Sequence, residues 1–145
     1  MSKIWVLTAD ASRARLFEAK TPKAPLIELG DFVEPEARAK GTALLSDRPG
    51  SDGGGGGYGR HVLDDDTPVQ EAAAKEFARL LAERLDKARV DGRFDRLAIA
   101  AAPKFLGMLR EAMPDPLRDK VEEEIDKDLV DLDAGELREK ISILL

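Results

Sequence analysis

Leu97-Ala98-Ile99-Ala100-Ala101-Ala102 is apolar at every position. A half-exposed strand alternates polar and apolar residues. A run with no polar member suits a strand covered on both faces, as in the parallel sheets of α/β proteins. The residues before it predict how the chain arrives there. Thr67-Pro68-Val69-Gln70 carries a helix start, with Thr67 to cap, Pro68 at the first helical position and Gln70 to complete a capping box. Ala73, Phe77, Leu80, Leu81, Leu85 and Ala88 then recur at three- and four-residue spacing, one face of a long helix that Gly92 ends. A helix leading into a buried strand implies an earlier strand beside it, parallel through a right-handed crossover.

Ile4-Trp5-Val6-Leu7-Thr8-Ala9 suits that earlier strand, being continuous and almost wholly apolar. Asp10-Ala11-Ser12 makes a turn. Arg13 to Ala19 then predicts a second strand, with Ala14 and Leu16 on one face and Arg13, Arg15 and Phe17 on the other. Thr21-Pro22-Lys23-Ala24-Pro25 breaks the chain again, and Leu26 to Val33 completes an antiparallel meander. Downstream, Pro103 opens a helix with Phe105, Leu106, Leu109 and Met113 inward, and Asp115-Pro116 starts a short turn of helix. Val121 to Ile125 fits an edge strand by its alternation and a helix by its glutamates. Asp133-Ala134-Gly135-Glu136 is a second capping box, before a terminal helix with Leu137, Ile141, Leu144 and Leu145 on its apolar stripe. The order is β-β-β, long loop, α, β, α, short β, α. It predicts an α/β fold with a three-layer mixed sheet, ribonuclease-H-like, in a single domain over residues 1–145.

Composition narrows the function. The chain has 145 residues and is 43% hydrophobic, a globular composition, with only 5% aromatics. There are no cysteines. That excludes disulfides, thiolate metal sites and a cysteine nucleophile, and it fits a reducing compartment. No apolar run approaches a membrane span. Ile4 to Leu7 is too short for a signal peptide's apolar region, so the expected location is cytoplasmic. The net charge of −6 is uneven: +1 over residues 1–63, zero over 64–110 and −7 over 111–145. Bulk charge does not bind nucleic acid here, so any RNA contact is local and belongs to the N-terminal half.

Between Glu34 and Asp66 no regular element of any length is predicted, beyond a brief helical turn within Ala37 to Leu45. Structureless loops longer than about 15 residues are uncommon in compact domains and usually serve function or disorder. This one holds Ser51-Asp52-Gly53-Gly54-Gly55-Gly56-Gly57-Tyr58-Gly59-Arg60-His61. Gly53 to Gly57 let backbone N–H groups approach a partner closely. Tyr58 can stack on a base, and the Arg60 fork matches phosphate. A nucleotide-binding P-loop does not fit, since no Lys-Ser/Thr follows the last glycine. His61 is the sole histidine, a general base or a solvated loop residue, and no metal or cofactor is expected. Asp10 suits a turn residue bonding its own backbone. Asp64-Asp65-Asp66 favours the following helix N-terminus electrostatically. Arg13 and Arg15, two apart on a strand, form either a small basic stripe for RNA phosphates or a solvated face paired with Asp10 or Glu18. Glu122 to Asp133 is solvated acidic surface or a docking face.

Four stretches together, TADASRARLFEA (8–19), GGGGGYGRH (53–61), FDRLAIAAAPKFLGMLR (94–110) and EIDKDL (124–129), resemble the bacterial family of host attachment proteins, described as required for attachment to host cells. That family is distantly similar to the central domain of archaeal and eukaryotic class-I peptide release factors. The resemblance implies the release-factor central-domain fold and a ribosomal or structured-RNA partner. In release factors the corresponding loop carries Gly-Gly-Gln and helps water cleave peptidyl-tRNA. Here Gly53 to Gly57 occupies that loop without a glutamine, and Gln70 is the chain's only one. The expected function is therefore a non-enzymatic RNA- or ribosome-associated domain with no catalytic residue. Its expected contacts are Gly53, Gly54, Gly55, Gly56, Gly57, Tyr58, Arg60, His61, Arg13 and Arg15. Two alternatives stay open: a peptidyl-tRNA esterase acting through the same loop, and a protein-interaction module with a protein partner in host-cell attachment.

Overall fold

In β1 (Ile4–Ala9) every residue is buried, including Thr8. The computed structural model describes residues 3–33 and 68–145, and among them β1 holds the middle of a five-stranded sheet. β2 (Arg13–Ala19) pairs with β1 antiparallel, and β3 (Ile27–Val33) pairs with β2 antiparallel. On the other side, β4 (Arg96–Ala101) runs parallel to β1 in unbroken register from Ile4 opposite Arg96 to Ala9 opposite Ala101. β5 (Val121–Ile125) lies parallel to β4 at the far edge. The order is β3-β2-β1-β4-β5, the meander and parallel crossover expected from the two apolar runs.

α1 (Pro68–Val90) makes the crossover. Its buried face is Ala74, Phe77, Ala78, Leu81, Ala82, Leu85 and Ala88. The predicted stripe is rotated slightly, because Ala73 and Leu80 are only half-buried while Ala74, Ala78 and Ala82 face inward. Alanine favours a helix at any position and so marks its inward face only weakly, but small side chains on a contact line let a helix sit close to a sheet. Gly92 ends α1 with φ +72°, a left-handed conformation that glycine adopts without steric cost. Arg93 N donates to Ala88 O at 2.9 Å and Gly92 N to Arg89 O at 3.0 Å, the paired bonds of a Schellman motif. The Thr67 cap lies outside the described residues.

α2 (Pro103–Ala112) follows β4 and buries Phe105, Leu106 and Leu109, with Met113 just beyond, as its spacing predicts. Phe105 stacks on Phe77 of α1 at 5.8 Å between ring centroids. α1 and α2 together cover one face of the sheet, where Trp5, Leu7, Ala14, Leu16, Leu97 and Ile99 point. After a short α3 (Asp115–Arg118), the ambiguous Val121–Ile125 segment is a strand. Its glutamates all find partners: Glu122 pairs with Arg96, Glu124 with Arg110, and Glu123 accepts from Ser142 N and Ile143 N at 3.0 Å each.

The opposite face, formed by Ile4, Val6, Phe17, Ala19 and Ala98, is covered by the C-terminal segment. Here the predicted terminal helix is corrected. α4 (Ala134–Arg138) has the capping box of Asp133 and Glu136 but stops after five residues, and a 3₁₀ turn at Ser142–Leu144 follows. Leu137, Ile141 and Leu144 still reach the sheet, whereas Leu145 is 81% exposed. Arg138 accounts for the bend: its guanidinium donates to Leu144 O at 3.1 Å and Pro22 O at 2.9 Å, folding the chain end back. No helix among the described residues is long and apolar enough to cross a membrane.

Thr8 is fully buried in β1, and its Oγ1 has no hydrogen-bond partner among the described residues. A buried unpaired hydroxyl costs roughly 1–3 kcal/mol, and valine has the same shape without it. Thr8→Val is expected to raise the urea midpoint by the equivalent of about 1 kcal/mol. An unchanged or lower midpoint would show that the hydroxyl is satisfied in solution.

Candidate functional site

The carboxyl ends of parallel strands are where open α/β sheets bind ligands. β1 and β4 end together at Ala9 and Ala101, and Ala102 N donates to Ala9 O at 3.3 Å. Two other chain ends meet this edge. Val33, the last residue of β3, lies opposite Arg13 at the β1–β2 turn. α1 ends at the opposite edge, where Asp95 N and Arg96 N donate to Lys3 O at 2.9 and 3.2 Å. Running back along its length, α1 has its N-terminal end on the carboxyl side of the sheet, where Phe77 meets Phe105 in the first turn after β4. In the sequence, the glycine-rich stretch lies between Val33 and Pro68. Gly53, Gly54, Gly55, Gly56, Gly57, Tyr58, Arg60 and His61 lie outside the described residues.

The turn at this edge is built by Asp10. Its carboxylate accepts from Ser12 N at 2.8 Å and Arg13 N at 2.9 Å, the self-bonded turn expected from the sequence. Burial pushes the Asp10 carboxyl up from its ordinary value, the two backbone donors pull it back, and the nearby Asp128 and Asp131 push it further up.

Arg13 and Arg15 do share one face of β2, but neither pairs with Asp10 or Glu18. Glu18 instead accepts from the Trp5 indole at 3.0 Å. Arg15 grips Glu28 with two bonds, of 3.1 and 3.0 Å, across the β2–β3 ladder. Its remaining nitrogen donates to Val130 O at 2.7 Å and Leu132 O at 2.8 Å. The guanidinium also lies 5.1 Å from the centre of the Phe17 ring, and the side chain is only 13% exposed. Arg15 therefore clamps the segment after β5 onto the sheet. The hydrogen bond to Glu28 raises the Arg15 pKa and holds the Glu28 carboxyl below its ordinary range. Arg13 is 42% exposed, with looser contacts to Asp31 at 3.4 Å and Asp131 at 3.8 Å.

The sequence missed the clamp because its acceptors are backbone carbonyls 115 and 117 residues away. The available signal was EIDKDL, whose Asp128 carboxylate accepts from Val130 N at 3.1 Å and shapes the loop whose carbonyls Arg15 takes. Among the described residues, no group of three or more His, Asp or Glu side chains could hold a metal ion.

A family model described as "Protein required for attachment to host cells" matches residues 5–141. Among solved structures, an archaeal translation termination factor, aRF1, is similar with a TM-score of 0.53 at 14% sequence identity. The alignment covers 98% of this chain and 36% of that one, so the likeness is one of fold and spans about a third of the larger protein. No curated protein matches the sequence.

Arg15→Met keeps the apolar stem but leaves Glu28 and two carbonyls unpaired. It is expected to cost about 2 kcal/mol in urea unfolding at neutral pH. Arg15→Lys should recover less than half, because an ammonium lacks the fork that serves both partners. The part of this stability due to Glu28 is complete above the ordinary 4.5 and lost as pH falls below it through the lowered native value. Asp10 acts in the opposite sense. Its raised native pKa means that the ionised form is penalised at pH 7 and that the penalty disappears as pH falls towards the ordinary 3.8. Asp10→Asn keeps a turn acceptor and is expected to be more stable than the parent at pH 7, with the difference gone below pH 3.8. A destabilised Asn variant at neutral pH would contradict this.

Proposed function

This chain belongs to the family of proteins required for attachment to host cells, and we propose that it acts as a non-enzymatic RNA- or ribosome-binding domain. The observation that supports this reading is that β3 ends at the carboxyl edge of β1 and β4 and α1 has its N-terminal end on the same side of the sheet, in a fold similar to that of a translation termination factor. The glycine-rich stretch lies between these two elements in the sequence, and open α/β sheets bind ligands at the carboxyl ends of their strands. In this reading the Gly53–Gly57 backbone N–H groups and the Arg60 fork contact phosphates, Tyr58 stacks on a base, and His61 adjoins them. Arg13, half-exposed and loosely paired, adds a cation at the same edge. Arg15 is committed to Glu28 and the 130–132 carbonyls, so it supports the edge without touching the partner. The net charge of −7 over residues 111–145 keeps nucleic acid off the face that segment covers.

Ribosome co-sedimentation tests the reading. The parent is expected to pellet with ribosomes at low salt and progressively less at moderate salt. Replacing residues 53–60 by a short Ser-rich linker should abolish pelleting, and Arg60→Gln should lower the slope of log K against log salt by about 0.7–0.9, one phosphate contact. Loss of pelleting with the linker but hydrolysis of peptidyl-tRNA by the parent, abolished by Gly54→Ala, would replace the non-enzymatic reading with an esterase. No pelleting at either salt would overturn it and favour a protein partner in attachment.

A further inference from the structure

α1 leaves a groove open between itself and the β2–β3 side of the sheet. The floor is Trp5, Leu7 and Leu16, and the helix wall is Leu81, Leu85 and Ala88. Phe32 closes the third side. Its ring lies over Gly30, which faces Leu16 across the ladder and brings no side chain to fill the space. The cavity measures about 280 Å³, just below the range of about 300–1,000 Å³ typical of small-molecule pockets.

The rim is charged. Lys87 is paired with Asp91 at 3.7 Å, and Glu18 is bonded to the Trp5 indole, so both nearby acids are engaged. Arg84 and Arg93 are not paired with any carboxylate among the described residues. Arg84 rests 5.3 Å from the centre of the Phe32 ring, and Arg93 lines the cavity beyond Asp91. Almost every other arginine on the described surface has an acidic partner, in a chain whose net charge is −6. An apolar slot flanked by two guanidinium groups without a carboxylate partner among the described residues is complementary to an anion with an apolar body. The planar fork favours a carboxylate.

We propose that this groove binds a small amphipathic carboxylate, its apolar body lying on Leu16, Phe32 and Leu85 and its acid group held by Arg84 and Arg93. The volume takes one short aliphatic or aromatic body. The site is built from described residues alone and does not depend on the glycine-rich segment.

Trp5 is the chain's only tryptophan, lies in the floor and is stacked on Phe94 at 4.9 Å, so its fluorescence reports occupancy. Titration with sodium octanoate below its micelle concentration is expected to give a saturable change in Trp5 emission. Octylamine, with the same apolar body and the opposite charge, should give none. The double variant Arg84→Gln, Arg93→Gln should bind octanoate about tenfold more weakly, the sum of two exposed ion pairs. Both side chains are exposed, so the urea midpoint should stay unchanged. Ala88→Leu, which fills the groove and keeps the arginines, should abolish the change. No saturable change with octanoate, equal affinity in the double variant, or an equal response to octylamine would each overturn the proposal.

Discussion

A strand without an exposed residue has to be covered twice, and β1 imposes that demand on the whole chain. Both of its edges are paired and both of its faces are apolar. One face is covered by the long helix α1 and by α2, whose inward residues interlock through Phe77 and Phe105. The other face receives no long helix. Leu137, Ile141 and Leu144 cover it from a segment with little regular structure, and such a segment has too few backbone bonds of its own to hold a shape. Side chains supply them. Arg15 takes two carbonyls after β5, Glu123 takes two N–H groups of the 3₁₀ turn, and Arg138 ties the chain end to Pro22. The lower layer is held by polar tethers, the upper one by periodic apolar packing.

The parallel register of β1 and β4 has a functional consequence. Strands that run the same way end at the same edge, and the crossover helix must begin there and finish at the other. The same edge carries Asp10, Asp128 and Asp131, and its acids pair Arg15 closely with Glu28 but leave Arg13 only loosely held. Likeness to a termination factor is one of fold, and a fold by itself does not fix the chemistry of a partner contact.

The two sheet edges differ physically. β5 is screened by glutamates, each engaged with an arginine or with the 3₁₀ turn. β3 is separated from regular pairing by a bulge against Leu16 and Phe17, and it leaves Ile27 and Leu29 about half exposed. A bulge twists an edge away from further strand pairing, which is one way proteins manage an unpaired edge. The groove beneath α1 opens on this looser side.

Sequence alone determined the elements whose pattern is set by neighbours along the chain. The apolar runs at 4–9 and 97–102, the 3.6-residue period of α1 and the Gly92 stop are local signals, and burial on both faces follows from their composition. The alternation of Ala14, Leu16 and Phe17 on β2 was legible for the same reason. Tertiary structure decided what depends on partners distant in sequence. Val121–Ile125 became a strand because β4 offered an edge and Arg96 and Arg110 offered counter-charges. The terminal helix stopped short because Arg138 bends the chain end back. Arg15, legible only as a cation on a strand face, became a clamp because carbonyls more than a hundred residues away were brought to its fork. A side chain's charge is written in the sequence, but which acceptor satisfies it is set by the fold, since burial makes the nearest unpaired group the one it must serve.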